Sequence, residues 1–197
     1  MRVGVDLDGV CYDFDADCRA WIIGNGILPA EALVPTVRWH MYRDWGMTDA
    51  EFVAMCDDAT DAGFMFCQGE PMAGAMRGLR QLKDDGHTIH LVTARHFGSP
   101  GSSESNTAWW LDQWDVPYDS LTMSGDKTAV EVDVFIDDRD RNYDEIEAKW
   151  PGVAVLMDRA YNRHHDGRRV YGWRQFVGLV RNKAIAESDG ADIWRAS

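Results

Sequence analysis

The apolar runs of this chain are short, rich in β-branched residues and set apart by stretches with helical patterning. Residues 2–7 (RVGVDL), 88–95 (TIHLVTAR), 119–124 (DSLTMS), 132–140 (VDVFIDDRD) and 153–157 (VAVLM) read as strands. Between them, residues 71–86 (PMAGAMRGLRQLKDDG), 107–115 (TAWWLDQWD) and 143–150 (YDEIEAKW) carry helical spacing, with Pro71 placed to start the first helix and Gly86 to stop it. Trp109, Trp110 and Trp114 are expected on a packed helix face, and residues 98–106 (GSPGSSESN) form a flexible loop. Strands alternating with helices predict an α/β fold, a mostly parallel sheet with helices on both faces. Residues 15–69 break the rhythm: they are rich in Trp, Met and acidic residues and helical in pattern, as in TDAEFVAMCDDAT. They are expected to form a small helical subdomain inserted after the first strand, leaving residues 1–14 and 70–197 as the α/β core.

The bulk chemistry removes several classes of function. At 197 residues, 45% hydrophobic and 11% aromatic, the chain can bury a sizeable core. Its formal charge of −13 repels a phosphate backbone, so extended nucleic acid is not an expected partner. A small anionic ligand remains compatible where positive groups converge. The opening residues MRVGVDLDG are too short and too soon charged for a signal peptide, and no stretch approaches a membrane span. Cys11, Cys18, Cys56 and Cys67 form no C-x-x-C pair and read as reduced structural thiols, which points to the cytoplasm.

Polar chemistry gathers at the expected carboxyl ends of the strands, where open α/β sheets bind ligands. Asp6 and Asp8 end the first strand, Thr93 the second, and Asp137 and Asp138 follow VFI; Lys127 opens a helix-like segment just before that run. Carboxylates two apart on a strand share a face and repel each other, a cost that makes sense where a metal or a reaction uses the pair. Clustered carboxylates without His or Cys favour a hard cation, and Mg²⁺ leaves room for a phosphate and waters. Lys127 would offset the surplus charge. The Thr93 hydroxyl and the free N–H groups after Asp6 and Thr93, the latter on Ala94, would cradle phosphate oxygens, and Gly9 permits the tight backbone such a cradle needs. One aspartate would then attack phosphorus, while the other donates a proton to the leaving oxygen and later activates water.

The four segments DLDGV, VTAR, DKT and IDD, in that order, resemble the motifs of the haloacid dehalogenase (HAD) superfamily of phosphatases. The resemblance narrows to the 5'(3')-deoxyribonucleotidase family, through VDLDGVCYDF, DAGFMFCQGEPMAGA, DKTAVEVDVFIDDRD and YNRHHDGRRVYGW. It implies a HAD-like Rossmannoid sheet, with residues 15–69 as a helical cap over the site. It also implies Asp6 as nucleophile, Asp8 as general acid/base, and Thr93, Ala94 and Lys127 on the phosphate. Mg²⁺ would be held by the Asp6 carboxylate, the Asp8 backbone carbonyl and Asp138, with Asp137 in support. Phe14 matches an aromatic that packs on the nucleobase, and Trp39 and Phe64 would contribute from the cap. The substrate implied is a small nucleoside monophosphate, deoxyribonucleotides preferred, with no membrane partner and a homodimer left open. TAR, where the animal enzymes have Ser after Thr, and WHMYRDWG in the cap depart from that pattern and touch the substrate pocket. A phosphatase for another small phosphate or a nucleic-acid 3'-phosphate end, and a non-catalytic nucleotide-binding module, are the rival readings. The basic residues Arg159, Arg163, His164, His165, Arg168 and Arg169 are expected on a solvated surface with internal salt bridges.

Overall fold

The structure is a computed structural model and describes residues 1–188. Six strands, β1 (Arg2–Val5), β2 (Thr88–Thr93), β3 (Ser120–Met123), β4 (Val134–Asp137), β5 (Ala154–Met157) and β6 (Arg169–Val170), form one sheet in the order β3-β2-β1-β4-β5-β6. Every neighbouring pair is parallel. The chain steps outward from β1 through β2 to β3, then returns across β1 to β4 and continues the other way. Connections therefore diverge on either side of β1 and β4, which opens a crevice at their carboxyl ends.

Strand residues alternate between two apolar layers, as a sheet buried on both faces requires. Val3, Val5, Ile89, Leu91, Val134 and Ile136 join the larger cluster, while Val92, Phe135 and Ala154 turn to a smaller one. The larger layer is completed by helices α3 (Ala75–Asp84), α4 (Ser102–Gln113) and α6 (Trp173–Ser188), through residues such as Leu79, Trp110 and Phe176. Ile146 of α5 (Asp140–Lys149) serves the smaller one. Among the described residues, no helix is long and apolar enough to cross a membrane.

Between β1 and α3 lie two further helices, α1 (Phe14–Gly24) and α2 (Asp49–Asp61), with single 3-10 turns at Ala30–Ala32 and Met41–Arg43. α2 starts in a reciprocal cap: Thr48 Oγ1 accepts from the Glu51 N–H at 3.3 Å and the Glu51 carboxylate accepts from the Thr48 N–H at 2.8 Å. Side chains of this segment, among them Met41, Trp45, Phe52 and Met55, belong to the same apolar cluster as the sheet. Polar contacts also join it to the core. Asp57 accepts from the Gly98 N–H (2.8 Å); Asp61 accepts from the N–H and hydroxyl of Ser99 and the hydroxyl of Ser102 (2.7, 2.8 and 2.7 Å).

Three local expectations are corrected. Pro71 does not start a helix: it bridges to Tyr12, and α3 begins at Ala75 after Gly74, whose φ of 83° serves the chain reversal. The Ser-rich stretch is loop only to Gly101, because Ser102 already begins α4. Trp109 and Trp110 are adjacent on a helix and cannot share a face; Trp110 is buried with its Nε1 on the Gly69 carbonyl (2.7 Å), and Trp109 is 48% exposed.

α3 and α6 cross where Gly78 meets Trp173, and a Cβ at Gly78 would lie 2.4 Å from the indole. The same Trp173 donates to the Val10 carbonyl at 2.9 Å, tying α6 to the loop after β1. Gly78→Ala is therefore expected to destabilise the fold by ~1–3 kcal/mol through overpacking, despite alanine's better helix propensity. Urea denaturation reads this, and unchanged or raised stability would show that the crossing yields without cost.

Candidate active site

The crevice collects its polar residues from the ends of three adjacent strands. β1 stops at Val5, level with Ile136 and Leu91, and the Asp6 N–H still donates to the Ile136 carbonyl at 3.0 Å. Continuing the register sets Asp6 beside Asp137 on one side and Val92 on the other. Lys127, in a 3-10 turn after β3, inserts from that side: Nζ donates to Asp6 Oδ1 at 2.6 Å and to the Val92 carbonyl at 2.7 Å, with Asp137 Oδ2 at 3.9 Å.

Asp6, Asp137 and Asp138 are all buried, and one carboxylate oxygen of each lies within 4.8 Å of the others. Burial and the mutual repulsion of Asp6 with Asp137 and Asp8 push the Asp6 carboxyl up to about 7, against the pull of Lys127. Burial, then Asp137 and Asp6, raise Asp138 well above the carboxylate range, and burial raises Asp137 as well. Burial opposes charge on Lys127, but Asp6 and Asp137 outweigh it and hold its pKa above the usual value.

Hydrogen bonds separate the two members of the DD pair. Asp137 is partnered on both oxygens: Asn142 donates to each (3.0 and 3.0 Å) and the Arg139 N–H to Oδ1 (2.8 Å). Asp138 receives the Tyr161 hydroxyl on Oδ2, while its Oδ1 is buried with no partner. Asn162 fixes the backbone beneath it, donating to the carbonyls of Asp138 and Met157 (2.7 and 2.8 Å). A buried, unpartnered carboxylate oxygen in a cluster of three carboxyls fits a hard divalent cation. Gly9 makes room for the Tyr161-bonded side of that carboxylate: its φ is +74°, and a Cβ there would fall 1.9 Å from Asp138 Oδ2. Arg159 braces the same turn, its Nε donating to the Gly9 carbonyl at 2.8 Å.

Thr93 ends β2 fully buried, and its Oγ1 has no partner either. Ala94, next along, is exposed. Asp8 turns to Arg95, whose Nε reaches both carboxylate oxygens (3.1 and 3.1 Å) and whose Nη2 reaches Oδ1 (2.8 Å). Phe14 is half-buried at the start of α1 and stacks on Phe66, centroids 6.0 Å apart. Phe66 holds a φ of 65°, uncommon for a bulky residue, and stacks on Phe97 as well. Phe64 instead packs on Trp21 at 5.2 Å, so Phe66 takes the place beside Phe14. Trp39 stands 41% exposed between the Tyr161 ring (5.6 Å) and the Arg139 guanidinium (4.7 Å).

The structure thus brings together Asp6, Asp137, Asp138 and Lys127, joins Asp8 to them through the chain, and adds Arg95, Asn142, Arg159, Tyr161 and Phe66. Of these additions, Arg95 stands in the TAR segment, Arg159 in the basic stretch, and Phe66 and Tyr161 in segments that carry the family resemblance, whereas Asn142 had no signal in the sequence. The basic stretch is spent internally, as in Arg163 and Arg169 on Asp158 (2.8 and 3.2 Å) and His165 on Asp144 (3.0 Å).

Behind the aromatic layer, Asp17 accepts the Tyr12 hydroxyl, and burial pushes its carboxyl up to about 6 despite that bond. Between about pH 4 and pH 6 the folded protein keeps a proton that the unfolded chain releases. Stability from this site therefore falls as pH rises through that window and stays low above it. Asp17→Asn, which can still accept the Tyr12 hydroxyl, should be more stable than wild type by ~1–3 kcal/mol at pH 7.5, with the difference vanishing below pH 4. Urea denaturation of both proteins at the two pH values tests the sign; a loss at pH 7.5 would mean that ionised Asp17 supports the fold.

Comparison with known proteins agrees with this geometry. The family described as "5' nucleotidase, deoxy (Pyrimidine), cytosolic type C protein" matches residues 1–185. A Chlorobaculum tepidum protein, provisionally named a 5'(3')-deoxyribonucleotidase, is 29% identical over 91% of this chain and 89% of its own length. The human cytosolic-type 5'(3')-deoxyribonucleotidase is 27% identical over 95% of this chain and 98% of its own. Among solved structures, a HAD-superfamily hydrolase from Geobacter sulfurreducens superposes with a TM-score of 0.54 at 16% identity, covering 91% of this chain and 95% of that one, a likeness of fold.

Proposed function

The chain belongs to the cytosolic type C deoxy (pyrimidine) 5' nucleotidase family, and we propose that it is a Mg²⁺-dependent phosphomonoesterase that releases phosphate from deoxynucleoside monophosphates. The observation that carries this reading is the pair of buried, unpartnered oxygens, Asp138 Oδ1 and Thr93 Oγ1, on either side of the Asp6–Lys127 pair. One is an acceptor awaiting a cation and the other a donor awaiting an anion, as a metal–phosphate complex supplies.

In this reading Asp6 is the nucleophile. Its carboxylate attacks phosphorus, the bond to the nucleoside oxygen breaks, and an aspartyl-phosphate forms. Lys127 holds Asp6 in place and, with Thr93 and the Ala94 N–H, binds phosphate oxygens as charge moves onto them. Asp8 gives its proton to the departing oxygen, then takes one from the water that cleaves the intermediate. Asp6, Asp138 and the Asp8 backbone carbonyl would hold Mg²⁺, with Asp137 in support. When bound, the ion neutralises the clustered carboxylates and the phosphate.

Residues 15–69 act as the cap, and the aromatic residues at its border, Phe14 backed by the buried Phe66 and Trp39 with Arg139, face the nucleoside. Phe14, half-buried and backed by Phe66, offers a ring face that suits a flat base. The thiols of Cys11, Cys18, Cys56 and Cys67 are all unpaired, in keeping with a reducing compartment such as the cytoplasm.

Phosphate release from a panel of 5'- and 3'-(deoxy)nucleoside monophosphates, with Mg²⁺ and with EDTA, tests the reading. Release should concentrate on a few deoxynucleotides, stop with EDTA, vanish in Asp6→Asn and fall roughly 10²–10⁴-fold in Asp8→Asn. Release from an aryl phosphate but from no nucleotide would keep the chemistry and discard the substrate. Nucleotide binding without release would mark a binding module.

A further inference from the structure

Arg95 is an unusual residue to find at the end of a central strand. Its side chain is 0% exposed, yet its partner Asp8 remains 27% exposed. Every edge and face of the guanidinium is occupied. Nε and Nη2 grip Asp8, Nη1 donates to Thr107 Oγ1 of α4 at 3.1 Å, and the rings of Tyr12 and Phe66 flank it, each centroid 4.5 Å from Cζ. The plane of the group cannot turn without breaking two hydrogen-bonded contacts and two cation–π contacts at once.

Asp8 needs such a clamp. Asp6 shares its charge and lies two residues away, and repulsion alone would let the Asp8 side chain drift among rotamers. A two-pronged guanidinium contact fixes the plane of a carboxylate as well as its position. Nε and Nη2 crowd Oδ1, whereas Oδ2 accepts from Nε alone and keeps an open lone pair. That oxygen is the one free to carry a proton.

We propose that Arg95 is the positioning residue of this site, clamping the Asp8 carboxylate so that Oδ2 faces the leaving oxygen of the substrate. Arg95 exchanges no proton itself; the proton leaves Asp8 for the nucleoside oxygen as the phosphorus–oxygen bond breaks. The proposal rests on the assignment of Asp8 as proton carrier given above.

The test compares two leaving groups on the full chain with Mg²⁺: the nucleotide turned over fastest in the panel, whose alkoxide needs a proton, and p-nitrophenyl phosphate, whose phenolate leaves without one. The readout is kcat/KM, which ends at loss of the leaving group. Arg95→Ala should lower it about 10- to 100-fold for the nucleotide and less than about threefold for the aryl phosphate. Added guanidinium ion should restore part of the nucleotide activity, and Arg95→Lys should not, because an ammonium cannot span both oxygens between the two rings. Arg95→Gln gives the same comparison if the alanine protein does not fold. Equal losses on both substrates with no rescue, or no loss on either, would overturn the role. Asp8→Asn is run alongside. If it shows the leaving-group contrast and the Arg95 variants do not, Arg95 fails and the proposed function stands. If Asp8→Asn shows no contrast, the assignment of Asp8 itself is wrong, and Arg95 falls with it.

Discussion

Three carboxyl groups, Asp6, Asp137 and Asp138, are buried against one ammonium, that of Lys127, and most of the surrounding structure answers to that imbalance. Charges cannot be buried in surplus without partners, so each excess acid must be hydrogen-bonded, protonated or matched by a cation. Asn142 and the Arg139 N–H partner both oxygens of Asp137, and the Tyr161 hydroxyl partners one of Asp138. What is left, one bare oxygen on Asp138, is where the arrangement asks for something from outside. Register makes the imbalance unavoidable. Parallel pairing of β1 with β4 sets two strand ends side by side, and both continue into aspartate.

Positive groups gather in and around this cluster, within a chain whose formal charge is −13. Lys127 is buried among the carboxylates, Arg95 lies behind Asp8, and Arg159 braces Gly9. Arg139 rests on Trp39 at the rim. An acidic surface disfavours polyanions that must lie along the outside, whereas a crevice that gathers basic groups, once a cation has met its surplus carboxylates, can take a small anion that fits inside. The aromatic rings add a further function, because Tyr12 and Phe66 immobilise a guanidinium while Phe66 also stacks on Phe14. Phe66 thus links the Arg95–Asp8 pair directly to Phe14 at the start of α1.

Much of this was legible in the sequence. The five longer strands announce themselves as β-branched runs, and the acids at their ends mark the crevice because a parallel sheet exposes its carboxyl edge. β6 spans only Arg169–Val170, too few residues to carry a pattern, and α6 was not anticipated. Pro71 misled as a helix starter because an isolated bridge to Tyr12 claims that residue first. Ser102 misled because serine-rich composition signals loop, whereas here the hydroxyl is taken up by Asp61 across the chain. The supporting residues of the site were hidden for the same reason. Arg95 meets Asp8 and Tyr161 meets Asp138 only after folding, so the segments that hold them stand out in the sequence while their partners do not. Phe66 was hidden behind Phe64, since a left-handed backbone angle leaves no trace in residue type.

The contacts made by Asp57 and Asp61 bear on how this architecture could be rearranged. The loop that follows Thr93 is fastened at Gly98, Ser99 and Ser102 to the helix α2, so the inserted segment and the second strand's exit are stitched into one piece of masonry. Excising the insertion would strip acceptors from that loop and remove Met55 and Ala59 from the apolar cluster they share with the sheet. The segment is therefore not a transplantable module. A chimera that borrowed it for another sheet would have to bring residues 98–102 along, and an enzyme of this design diversifies most readily by changing side chains in place.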